Sequence, residues 1–137
     1  MMKSVFLDTN VLLDVLLNRE PFVSWAQQIW TLALQRKIKA SISSISILNC
    51  FYIIKKLKTN DQAYSVIEDL AKIFNIIQID SKVITNALQT RFEDFEDGIQ
   101  HQCALISKSK AIITRDEKGF SKSKLPVLDP INFIGNH

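Results

Sequence analysis

Three aspartates sit where short apolar runs end or where a helix begins. Asp8 follows Ser4-Val5-Phe6-Leu7. Asp116 comes two residues after Ala111-Ile112-Ile113-Thr114. Asp97 belongs to the tract Phe92-Glu93-Asp94-Phe95-Glu96-Asp97-Gly98, which holds four acids in five positions. The whole chain carries a formal net charge of +3, so acids this concentrated need a reason. Gathered in one pocket, carboxylates repel unless a cation lies between them. All-oxygen ligation with no Cys or His cluster favours Mg²⁺ or Mn²⁺ over Zn²⁺.

A blander account competes. Aspartate after a strand commonly caps the next helix. Asp94 and Asp97, spaced i, i+3, also fit a capping arrangement in which the helix dipole favours acids. Capping explains Gly98 less well, because a missing side chain beside Asp97 leaves room for a metal or a phosphate.

The elements that must position these acids follow from the apolar pattern. Buried strands are predicted at Ser4–Leu7, Lys39–Ser43, Ile76–Ile79 and Ala111–Thr114, with a short fifth at Pro126–Leu128. Between them run helical segments. The first covers Val11 to Asn18 after an Asn10 cap. The second is opened by Pro21 and ends near Lys37. A third is capped by Ser44 or Ser46 and runs to about Lys58, and a fourth follows Asn60 or Asp61. A fifth spans Ser81 to Phe92, with Val83, Ile84, Ala87 and Leu88 inward. The next starts from Asp94, reaches about Lys108, and has a face of Phe95, Ile99, Gln102 and Ile106 that packs inward except for the Gln. Pro130 to Ile134 closes the chain with a helical turn.

Strands alternating with helices imply an α/β protein around a mostly parallel sheet of about five strands, whose site lies at the carboxyl ends of the strands. With 137 residues, a single domain spanning 1–137 is expected. The hydrophobic fraction of 47% excludes disorder as the main description. No stretch reaches about 18 apolar residues, so no membrane span is expected. Asp8 and Asp14 interrupt the apolar start of the chain and no small-residue cleavage site follows, so it is expected to form the first strand and helix rather than a signal peptide. Cys50 and Cys103 read as small buried hydrophobes, and a reducing, cytoplasmic compartment is the simplest setting. Glycine-rich phosphate loops are absent. His101 reads as a surface or partly buried residue rather than a substrate contact, and Trp25 and Trp30 as core or dimer contacts. Lysine clusters at 55, 56 and 58, at 108 and 110, and at 118, 122 and 124 read as solvated faces able to hold a phosphate backbone.

Three stretches together resemble the PIN domain family. Phe6-Leu7-Asp8-Thr9-Asn10-Val11-Leu12-Leu13-Asp14 looks like that family's opening. Asp97-Gly98-Ile99-Gln100-His101-Gln102-Cys103-Ala104 is similar to its central acidic helix. Ile112-Ile113-Thr114-Arg115-Asp116-Glu117-Lys118-Gly119-Phe120 looks like its late strand and acidic turn. Their order matches across nearly the whole chain, and the size suits the single-domain bacterial type, similar to VapC toxins and PilT N-terminus-like proteins.

The resemblance implies a three-layer α/β/α fold and a metal-dependent ribonuclease using Mg²⁺ or Mn²⁺. It carries Asp8, Asp97 and Asp116 onto the metal-site acids, with Asp94 as an additional acid. Asn10 and Thr114 match polar residues lining the pocket. RNA is the implied substrate, a small antitoxin an implied partner, and a homodimer the typical assembly.

One position departs from the family. Where a glutamate is usual in the helix after the second strand, this chain has Asn49, which brings no charge. Asp94 or Glu96 would have to supply it; otherwise the protein is a nucleic-acid-binding or regulatory module of the same fold without turnover. A phosphatase of the haloacid dehalogenase type also begins with a strand ending in Asp, but it needs a second Asp two positions on, where Asn10 stands.

Overall fold

The computed structural model describes residues 2–136. Its first strand shows how the sequence builds layers. In β1 (Lys3–Leu7) successive side chains point to opposite faces. Val5 and Leu7 enter one apolar cluster, and Phe6 enters another. Ile113 and Ile112 divide in the same way on β4 (Ala111–Ile113). Both faces of the sheet are therefore covered, as a parallel sheet requires.

The remaining strands are β2 (Ile38–Ser43), β3 (Asn75–Ile77) and β5 (Val127–Leu128). All pairings are parallel, and the order is β3-β2-β1-β4-β5. Five helices belong to the layer that buries Val5 and Leu7. They are α1 (Thr9–Leu16), α2 (Val23–Leu34), α3 (Ser44–Leu57), α4 (Asn60–Ile73) and α7 (Pro130–Gly135). The opposite layer consists of α5 (Ser81–Thr90) and α6 (Phe95–Ile106), packed on Phe6, Ile77 and Ile112. The expected α/β/α sandwich with five parallel strands is thus observed.

This topology dictates where chemistry can sit. Every strand ends at the same edge of the sheet. The chain leaves β1 toward β2 on one side, whereas β4 lies on the other, so the strand order reverses between β1 and β4. Crevices form at such switch points. The register pairs Leu7 with Ile113, which places Asp8 and Thr114 side by side just past the two strand ends.

Several boundaries differ from the sequence expectation. Asp8, not Asn10, caps α1, so that helix begins at Thr9. Pro21 lies in a turn ahead of α2. Ser43 caps α3, and Thr59 caps α4 through a reciprocal box with Gln62. The third strand stops at Ile77, because Asp80 must leave the sheet to accept the Val83 N–H and cap α5. That helix ends at Thr90 with Arg91 left-handed. Its Val83 and Ala87 are buried, but Ile84 and Leu88 are exposed.

Helix α6 keeps its Asp94 cap yet departs most in its buried face. Phe95 and Ile106 are exposed, and the run Gly98 to Ala104 is buried without a break. The helix is enclosed by the sheet on one side and α5 on another. Its middle turns therefore have no polar face.

Candidate functional site

Asp8 is 6% exposed and surrounded by donors. Its Oδ1 accepts the Thr9 N–H at 2.8 Å and the Gln100 side-chain N–H at 3.3 Å. Its Oδ2 accepts the Thr114 hydroxyl at 2.8 Å and the Asn10 amide at 3.2 Å. Burial raises the Asp8 pKa, while the bonds from Thr114, Thr9 and Gln100 pull it back; the charge of Glu96 pushes upward again. The carboxylate is thus fixed in direction from both sides.

Thr114, fully buried, links the acids. Besides donating to Asp8, its oxygen accepts the Asp116 N–H at 2.9 Å. Asn10 braces the same turn: its Nδ2 reaches Thr114 at 3.2 Å, and its Oδ1 accepts the Arg115 N–H at 3.3 Å.

Asp97 lies in the first turn of α6, with its backbone N–H donated to Asp94 Oδ1 at 3.2 Å. Its pKa is pushed up to about 7, first by burial and then by the charges of Asp8, Asp94, Asp116 and Glu96. Four other carboxylates therefore act on this one.

An open cleft of about 400 Å³ brings the candidates together. Asp8, Asn10, Asn49, Asp94, Asp97 and Asp116 all line it, joined by Glu96 and Tyr52. Thr114 sits beneath, bonded to Asp8. Asn49 donates to Glu96 Oε1 at 3.3 Å, so a carboxylate stands against the position where the sequence lacked one. Lys118 lines an adjoining hollow with Glu93, Asp94, Asp97 and Asp116. The lysines at 55, 56 and 58 are exposed around the end of α3.

The empty space expected beside Gly98 lies elsewhere. A Cβ on Gly98 would come 3.4 Å from Phe92 and 3.8 Å from Ala87, so this glycine serves the packing of α6 on α5. Gly119 is the residue that faces the acids. A Cβ there would meet Asp116 Oδ2 at 2.5 Å and Asp97 Oδ2 at 2.6 Å. Two carboxylate oxygens thus converge on one point kept clear by a missing side chain.

Among the described residues, no three His, Cys, Asp or Glu side chains stand close enough together to hold a metal ion as they are placed. The donor chemistry nevertheless suits a hard divalent cation. The side chains lining the cleft offer oxygen donors, several of them anionic, and two carboxylate oxygens share the space at Gly119.

Sequence reasoning missed the support beneath Asp8. Gln100, fully buried, donates from Nε2 to Asp8, to Thr9 Oγ1 at 3.1 Å and to Ser46 Oγ at 3.2 Å. Thr9 and Ser46 share a further hydrogen bond of 2.6 Å. Polar residues in the middle of an apolar helix were the available signal. Asp14, also fully buried, is held apart from this network by Arg115, whose Nε and Nη2 reach its carboxylate at 2.7 and 3.0 Å.

His101 is 1% exposed, more buried than expected. It stacks on Phe92, accepts the Lys124 N–H at Nε2, and has a pKa lowered first by burial and then by the charge of Lys124. Cys50 and Cys103 are buried free thiols, as expected. Trp30 meets Phe74 edge-on beside the core.

A five-stranded parallel sheet covered by helices on both faces, with an acidic crevice at its switch point, defines an α/β/α sandwich protein. Residues 4–118 match the PIN domain family, and the chain belongs to it. A curated relative, "Ribonuclease VapC1" of Aquifex aeolicus (strain VF5), is 26% identical over 124 residues, covering 87% of this chain and 85% of its own. Among solved structures, a toxin-antitoxin complex from Klebsiella pneumoniae aligns with a TM-score of 0.68 at 25% identity, over 92% of this chain and 97% of that one. VapBC2 from Rickettsia felis, bound to a DNA fragment from their promoter, aligns with the same TM-score at 18% identity. That alignment covers 92% of this chain and 98% of the other, and it bears on the fold alone. No helix among the described residues is long and apolar enough to cross a membrane.

Proposed function

We propose that this protein is a metal-dependent ribonuclease that hydrolyses RNA phosphodiester bonds, and that it is the toxin of a toxin–antitoxin pair. The observation that carries this reading is the convergence of Asp8, Asp97 and Asp116, from three distant parts of the chain, on one cleft at the β1/β4 switch point. The sequence similarity to the VapC1 ribonuclease and the structural similarity to the Klebsiella toxin-antitoxin complex support the same reading.

Asp8, Asp97 and Asp116 would hold Mg²⁺ or Mn²⁺, with Asp94 and Glu96 adding negative charge. The cation, when bound, supplies activation of water and neutralisation of charge on the phosphate. The protein's own part is positional. Thr114, Asn10 and Gln100 keep Asp8 aimed, and Gly119 leaves the space in front of Asp97 and Asp116 clear. The neighbouring lysines draw in a polyanion that the acids alone would repel.

Asn49 motivates a second reading, a nucleic-acid-binding module without turnover. The carboxylate of Glu96 beside Asn49 favours the active form. Incubating labelled RNA with the protein and Mn²⁺, with EDTA and Asp97→Asn as controls, decides between them. Cleavage lost in both controls supports the nuclease, whereas binding with no cleavage in any condition supports the module.

Leu48, Tyr52 and Leu57 on α3 and Tyr64 on α4 are large, exposed side chains suited to a dimer or antitoxin contact. Light scattering of the purified protein, and co-purification with the product of a neighbouring small reading frame, test those partners. The buried free thiols suit a cytoplasmic setting.

A further inference from the structure

A second hollow opens at the same edge of the sheet, beyond β4 and β5. Its volume is about 240 Å³, and its lining is Phe22, Trp25, Arg115, Asp129, Pro130 and Ile131. Arg115 joins it to the acidic cleft, since it lies in sequence between Thr114 and Asp116 and its backbone N–H is held by Asn10.

The Arg115 guanidinium is unusually well fixed. One edge is bound twice by the buried Asp14 carboxylate, and its carbon lies 3.9 Å from the centre of the Phe22 ring. A flat cation immobilised in this way has little entropy left to lose on binding. Trp25 adds a large aromatic surface that is partly buried, with some of it lining the hollow. Guanidinium planes and aromatic rings are the surfaces on which unpaired RNA bases stack. Asp129 brings an acceptor. Its Oδ1 takes the Asn132 N–H at 2.7 Å, and Oδ2 has no hydrogen-bond partner among the described residues.

We propose that this hollow is a nucleobase subsite selective for guanine, placed one or a few nucleotides from the acidic cleft. The base stacks against Trp25 and the Arg115–Phe22 pair. Its Watson–Crick edge, which carries two adjacent N–H donors, is read by the Asp129 carboxylate. Adenine presents a bare ring nitrogen at that edge, which faces the carboxylate acceptor without a proton to share. The proposal rests on the nuclease reading for its place on an RNA strand, but the hollow itself can be tested without turnover.

The test is titration of the protein in EDTA with guanosine, adenosine, cytidine and uridine 5′-monophosphates, followed by tryptophan fluorescence. The expected result is quenching by the guanosine nucleotide, with about tenfold tighter binding than the adenosine nucleotide. Trp25→Phe should abolish the signal while Trp30 remains as internal reference. Asp129→Asn should bring the preference down to within about twofold and leave the melting temperature unchanged, because asparagine caps a helix as well as aspartate does. Equal binding of all four nucleotides overturns the guanine assignment. A guanine preference that survives Asp129→Asn, and that calorimetric titration still finds in Trp25→Ala, overturns the site. RNA cleavage mapping separates this idea from the one beneath it. A parent protein that cuts with no guanine bias near its cut sites defeats the subsite and leaves the nuclease standing. A parent that cuts nothing defeats the nuclease, and the fluorescence titration still decides the subsite.

Discussion

Thr114 and Asp8 stand 106 residues apart in the chain and share a buried 2.8 Å hydrogen bond. The parallel register of β1 and β4 makes this contact unavoidable, since each residue directly follows a paired position. A hydroxyl can serve three neighbours here, and valine of the same shape can serve none. Thr114→Val should therefore cost about 1–3 kcal/mol in urea unfolding, because Asp8, Asn10 and the Asp116 N–H each lose a partner. RNA cleavage should fall with it, and Thr114→Ser should recover most of both. A valine variant with parental stability and parental cleavage would show that the link between these strands carries no weight.

Gly119 permits a cleaner separation of fold from site. No glycine among the described residues has a positive φ, so alanine at 119 asks nothing of the backbone. What it displaces are the ends of two flexible carboxylates, Asp97 and Asp116. Gly119→Ala should leave the melting temperature within about 2 °C of the parent while reducing RNA cleavage at least tenfold, the scale of a small misplacement in a positioned site. Circular dichroism and a gel-based cleavage assay give the two readouts. Equal loss of both would mean that Gly119 matters for folding and not for the acids.

The same glycine shows where sequence reading stopped. Asp8 and Asp116 were legible because strands announce their own ends and a parallel sheet sends all those ends to one edge. The five strands and the Asp94 cap were legible for similar local reasons. Gly98 was legible as a missing side chain, but which neighbour fills the gap is a tertiary fact, and Phe92 fills it. Gln100 was hidden because its meaning depends on Thr9 and Ser46, each from another helix. Phe95 and Ile106 misled because α6 is enclosed in its middle and free at its ends, so a single apolar stripe does not describe it. Ile79 extended the third strand on paper, whereas the demand of α5 for its Asp80 cap ended that strand two residues sooner.

Asp97 gives the acidic cluster a pH signature in the chelated protein. Its carboxyl in the folded state keeps the proton up to about pH 7, whereas the unfolded chain releases it near 3.8. Between those values the folded state binds more protons, so stability falls as pH rises through the window. Melting curves in EDTA should show the parent losing stability from pH 5 to 7.5. Asp97→Asn should flatten that slope and melt higher than the parent at pH 7.5. Adding Mn²⁺ should reverse the parent's loss, since a bound cation favours the ionised form. A parent slope matched by the asparagine variant would place the strain on other groups.

Asn49 and Glu96 decide whether the missing family carboxylate has been replaced. The two side chains meet at 3.3 Å, amide to carboxylate, at the mouth of the cleft. If Glu96 supplies the charge that Asn49 lacks, Glu96→Gln should weaken Mn²⁺ binding by about tenfold, as removal of one charged ligand does. Asn49→Glu should do the opposite, at a cost. It sets two like charges within contact distance, so its melting temperature in EDTA should drop below that of the parent. With Mn²⁺ present it should recover and bind the ion more tightly. Calorimetric titration of the three proteins measures the order directly. Parental affinity in Glu96→Gln combined with a large gain in Asn49→Glu would mean the natural cleft is short of one carboxylate, and the module without turnover would become the better description.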